Sequence, residues 1–85
     1  MSADAELLRR YVEDRSETAF AELVRLHLNL VYFAALRQVG GDAHRAKDVA
    51  QAVFTDLARK ARSLTDRATL TGWLHTSAVS HKRLY

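Results

Sequence analysis

Apolar residues recur at three- and four-residue steps along nearly the whole chain, and no strand-like alternation persists. The pattern predicts a first helix over about residues 4–13, with Leu7, Leu8, Tyr11 and Val12 on one face. Asp14-Arg15-Ser16 reads as a connector. Ser16 suits an N-cap, because its hydroxyl can accept from an otherwise unpaired backbone N–H, and Glu17 then complements the helix dipole in the first turn. A long second helix is expected over residues 17–39. Phe20, Leu23, Val24, His27, Leu30, Val31 and Ala34 mark its main stripe. Leu26, Leu28, Phe33 and Leu36 widen that stripe, which predicts a central helix packed on more than one side.

Gly40-Gly41 ends this helix in the manner of a glycine C-cap, and Asp42 is placed to cap the next. The third helix is expected over about residues 43–61. Ala46, Val49, Ala50, Val53, Phe54, Leu57, Ala58 and Ala61 form its seam, and the alanines permit close approach to the central helix. Residues 62–70 are rich in Ser, Thr and charge and read as a loop. Thr69 or Thr71 would cap a fourth helix over about residues 71–84, with Leu70, Leu74, Ala78 and His81 facing inward. The expected fold is all-α, a compact bundle of about four helices forming one domain over residues 1–85. The chain stops at Tyr85 without a terminating signal, so a piece of a longer protein is expected.

Composition adds limits. At 85 residues and 48% hydrophobic content, one small globular domain is expected. The absence of cysteine excludes disulfides and thiolate metal sites. No apolar run approaches the ~20 residues of a membrane span, and the start Met1-Ser2-Ala3-Asp4 is unlike a secretory signal. A cytoplasmic protein that makes no membrane contact is the expectation.

The net charge of +3 is unevenly spread. Through residue 58, seven basic residues face nine acids, a balance of −2; from Arg59 onward six face Asp66 alone, a balance of +5. A basic C-terminal third attracts polyanions, although a solvated surface with chance clustering has the same composition.

Catalysis finds little support. His27, His44, His75 and His81 show no metal-binding pairing, and the chain has neither a phosphate-cradling glycine loop nor a nucleophile with its base. No metal, cofactor or enzymatic activity is expected. Asp48 and Asp56, two helical turns apart, read as solvated acids, and His27 as a hydrogen-bonded core residue. The outer face of the third helix is more informative. It carries Asp48, Gln51, Ala52 and Thr55, a run of short side chains where a purely solvating face would carry Lys and Glu. Such a face lets another helix approach closely. Further along, Lys60, Arg62, Arg67, Lys82 and Arg83 are available for phosphates, with Leu64, Trp73 and Tyr85 as apolar or aromatic surface and Thr65, Ser77 and Ser80 as small hydrogen-bonding groups. Cations interleaved with aromatics suit single-stranded nucleic acid. Trp73, at the start of a helix, also reads as a core anchor.

The ordered set Glu17-Thr18-Ala19-Phe20-Ala21-Glu22-Leu23-Val24, Val31-Tyr32, Ala35-Leu36-Arg37, Asp48-Val49-Ala50-Gln51-Ala52-Val53-Phe54, Gly72-Trp73-Leu74 and Ala78-Val79 resembles region 2 of bacterial sigma factors, most closely the extracytoplasmic-function (ECF) type. The resemblance covers nearly the whole chain. It implies a transcription-initiation domain that binds the RNA polymerase core through the clamp coiled coil of the largest catalytic subunit. By match, Asp48, Gln51, Ala52 and Thr55 make that contact. It also implies recognition and melting of the promoter −10 element, with a base of the non-template single strand captured by Leu64, Thr65, Arg67, Ser77 and Ser80. Lys60, Trp73, Lys82 and Arg83 then complete the DNA surface. An anti-sigma factor is a further partner of the kind the resemblance allows. Two departures stand out: a glutamate is usual where Ala52 stands, and a polar amide is common where Ser80 stands. The helix-turn-helix that reads the −35 element has no counterpart in these residues. Two other readings fit the composition, a helical protein–protein interaction module and a generic duplex-DNA-binding helical domain.

Overall fold

The computed structural model describes residues 3–65 and 70–80. Four helices carry them: α1 (Ala3–Asp14), α2 (Glu17–Gln38), α3 (Ala43–Leu64) and α4 (Leu70–Ser80). No strand occurs among the described residues, so the fold is all-α as expected.

The helix ends follow from local chemistry. Ser16 has extended backbone, and its Oγ accepts from Ala19 N–H at 3.1 Å, which caps α2. Asp42 does the same for α3, with Arg45 N–H donating to Oδ1 at 3.1 Å. Between them, Gly40 and Gly41 adopt φ of +66° and +84°, a region most side chains avoid. Gly41 N–H then reaches back to Leu36 O at 2.9 Å, pairing a carbonyl that the end of α2 would leave orphaned.

The other three helices all pack on α2. Its buried stripe is Ala19, Leu23, His27, Val31, Ala34 and Ala35. The seam of α3 lies against this stripe, and Ala46, Ala50 and Ala61 there face solvent by no more than a few per cent. Alanine on both helices lets the backbones approach, while Val49, Val53 and Leu57 fill the space between, fully buried. Helix α1 contributes Leu8 to the core and stacks Tyr11 on Phe20 of α2, ring centroids 4.7 Å apart. Helix α4 contributes Leu74 and Ala78, with Leu70 half-buried beside them.

Two sequence expectations need correction. Helix α3 runs through Arg62, Ser63 and Leu64 rather than ending near residue 61, and α4 begins at Leu70. Leu57, Ala61 and Leu64 continue the buried face at helical spacing, and no glycine or proline interrupts it. Ser63 and Thr65, which suggested a loop, donate their hydroxyls to Lys60 O and Arg62 O at 2.8 and 2.9 Å. They satisfy the helix instead of breaking it. Thr71 lies inside α4, while Thr69 and His81 lie outside the described residues.

The second correction concerns α2. Leu26, Leu28, Leu30 and Phe33 are 45%, 44%, 38% and 54% exposed, not packed. Three neighbouring helices cannot enclose a fourth whose apolar positions run nearly all the way round. By length and composition α2 is also long and apolar enough to cross a membrane, which the sequence had argued against. Its buried stripe is nevertheless the one on which α1, α3 and α4 pack.

Candidate functional site

The outer face of α3 presents Asp48, Gln51 and Thr55 exposed, with Ala52 half-buried at its edge. Spacings of three and four place them on one stripe, opposite the seam that packs on α2. Thr55 Oγ1 donates to Gln51 O at 2.9 Å, so its hydroxyl is held along the helix. No Lys, Arg or Glu occurs between Asp48 and Asp56, and a partner helix would meet little steric obstruction there.

Gln51 also borders an open groove of about 490 Å³ between α2 and α3, lined by Leu28, Tyr32, Phe33, Phe54 and Lys47. Tyr32 and Phe33 meet edge to face there, their centroids 5.3 Å apart. The short polar stripe therefore adjoins an apolar trough. The trough has a sequence signal, the surplus of apolar positions on α2, but periodicity alone assigns that surplus to the core.

The expected nucleic-acid residues divide into three groups. Lys60 is exposed and Thr65 half-buried at the C-terminal end of α3. On α4, Trp73, Ser77 and Ser80 fall at spacings of four and three on one side, flanking the buried Leu74 and Ala78. Trp73 is half-buried and packs against the core, so it is in part structural and in part accessible. Arg67, Lys82 and Arg83 lie outside the described residues. Leu64 is the exception: it is 6% exposed and part of the hydrophobic core. A side chain buried there supports the end of α3 and does not face a base, so its expected role is corrected.

Asp48 and Asp56 stand about 12 Å apart along α3, and Asp56 lies 3.8 Å from Arg59, which leaves no carboxylate pair for acid–base chemistry. Among the described residues no group of His, Asp or Glu is arranged to hold a metal ion. His27 is a hydrogen-bonded core residue, as expected from its place in the apolar stripe, and its partner is Asp4 of α1. On the exposed side of α2 the Arg25 guanidinium hydrogen-bonds Glu22 and holds that carboxyl below its ordinary pKa.

Sequence reasoning missed a third feature. Arg15, Arg59 and Arg62 line one notch between α1 and α3, together with Tyr11, Val12 and Glu17. The sequence offered Arg62 for phosphates, but periodicity does not bring it together with Arg15 and Arg59.

Comparison with known proteins supplies a frame for these surfaces. The model of the family described as sigma-70 region 2 matches residues 23–81. No curated protein and no solved structure matches the chain.

Proposed function

The chain belongs to the sigma-70 region 2 family, whose non-catalytic domains bind the RNA polymerase core and recognise the promoter −10 element, and from that premise we propose that the outer stripe of α3 is its polymerase-docking face. Asp48 and Gln51 make the contact, with Thr55 and Ala52 beside them. The clamp coiled coil of the largest catalytic subunit is the partner. One observation carries this reading: the exposed short-chained stripe of Asp48, Gln51 and Thr55 runs along a well-packed helix that an opposing helix can approach closely.

The −10 element falls to the other end of the molecule. Trp73, Ser77 and Ser80 on α4 and Lys60 and Thr65 at the end of α3 form the surface for the non-template strand, with Arg67, Lys82 and Arg83 adding cationic contacts. Taking a base out of the stack costs a few kcal/mol. Cations on the backbone and a small polar pocket for the base offset that cost. The domain acts in the cytoplasm as part of an ECF-type factor, and an anti-sigma factor that covers the α3 stripe would silence it.

The deciding experiment is binding of the chain to the isolated clamp coiled coil, comparing the parent with Gln51→Ala and Asp48→Ala. A tenfold loss, about 1.4 kcal/mol, is the expected result. Binding that ignores both substitutions overturns the docking face, and binding of duplex DNA in preference to single strands favours a generic DNA-binding domain.

A further inference from the structure

Among the described residues two helix ends use left-handed backbone, and they use different residues. After α2 the chain employs Gly40 and Gly41, which adopt positive φ without a Cβ clash. After α1 it employs Arg15, at φ +54°, the one described non-glycine residue with positive φ. A Cβ is disfavoured in that region, and glycine would serve the turn better. What arginine brings is its side chain.

That side chain lines a notch of about 370 Å³ between α1 and α3. Arg59 and Arg62 line it as well, and Val12, Ala58 and Ala61 supply its apolar lining. Among the described lining residues Glu17 is the single acid. Asp56 lies 3.8 Å from Arg59, an ion pair longer than a hydrogen bond. Three arginines line this one concavity, and guanidiniums carry forked donors that match the oxygens of a phosphate.

We infer that this notch is a phosphate-binding site for the nucleic-acid backbone, outside the surface that reads the −10 bases. The inference rests on the promoter-binding reading of the domain. The charge order along α3 favours nucleic acid over an acidic protein: Asp48 and Gln51 occupy the N-terminal half of the outer face, while Arg59, Lys60 and Arg62 follow at the C-terminal end. Asp48 and Arg59 are separated by about 16 Å of helix. A partner docked on the first half leaves the second half to a polyanion running past α1. The notch then extends the DNA track from Lys60 around the end of α3.

The test is a salt series with the full chain and a labelled single-stranded oligonucleotide, comparing the parent with Arg15→Asn and with Arg59→Gln/Arg62→Gln. Asparagine tolerates left-handed backbone, so Arg15→Asn removes the charge without unfolding the turn. The slope of log affinity against log salt should flatten by about 0.7 for each arginine removed, while Arg15→Asn melts no lower than the parent. An unchanged slope in both variants overturns the notch and leaves the promoter reading standing. So does an unchanged slope with weakened binding to polymerase core, which would assign the arginines to an acidic protein surface. Inorganic pyrophosphate that occupies the notch without displacing DNA would likewise replace the backbone with a small phosphorylated ligand. A parent chain that binds no single-stranded DNA removes the promoter reading and the notch together.

Discussion

His27 Nε2 lies 2.7 Å from Asp4 Oδ1, joining the middle of α2 to the first turn of α1 across 23 residues of sequence. Both side chains are largely shielded, with 11% and 25% of their surface exposed. A partly buried polar pair stabilises most through what its loss leaves behind, an unsatisfied group in a poorly solvated place. Asp4→Ala should therefore lower unfolding free energy by about 1–2 kcal/mol. The double variant Asp4→Ala/His27→Leu should recover part of that loss. A denaturation cycle over the four proteins reads the coupling, and a value below about 0.5 kcal/mol would mean the pair contributes little.

Arg15→Gly should raise stability by about 0.5–1 kcal/mol, because glycine removes the Cβ clash at φ +54° although it adds freedom to the unfolded chain. The gain is read as a rise in melting temperature. A fall would show that contacts of the arginine in the notch outweigh the backbone cost.

Leu64→Ala should behave as a core deletion. The site is 6% exposed within the cluster that includes Leu57 and Ala61, so a loss of about 2–5 kcal/mol is expected. Base preference at the −10 element should not change in whatever fraction stays folded. A stable Leu64→Ala variant with altered preference would restore Leu64 to the DNA surface.

Phe33→Ser should leave the fold nearly untouched, within about 0.5 kcal/mol of the parent, since the residue is already 54% exposed. Leu23→Ser, ten residues earlier on the same helix and fully buried, should prevent folding. Circular dichroism melts of the two variants make the comparison.

These contrasts show which parts of the fold could be read from sequence. Ser16, Asp42 and Gly40-Gly41 were legible because capping depends on chemistry within a few residues. The seam of α3 was legible because its period is clean. The end of α3 was not: Ser63 and Thr65 look like loop residues until their hydroxyls are seen bonding back to the helix. Nor was the exposed side of α2, since the helix has more apolar positions than its neighbours can cover. The link between Asp4 and His27 depends on how α1 docks, which no local pattern encodes. The candidate docking stripe could be picked out from its missing long side chains. The arginine notch could not, because Arg15 in the turn after α1 meets Arg59 and Arg62 of α3 only in the folded chain.

The four large apolar side chains left on α2 also bear on the life of the domain between partners. Leu26, Leu28, Leu30 and Phe33 leave apolar area that water solvates poorly and that a second molecule can meet. Crowding the domain therefore favours clumping, and the rate of loss rises with its own concentration. Sequestration by a larger assembly would then act as storage as well as control, and keeping the solitary form scarce would be part of keeping it usable.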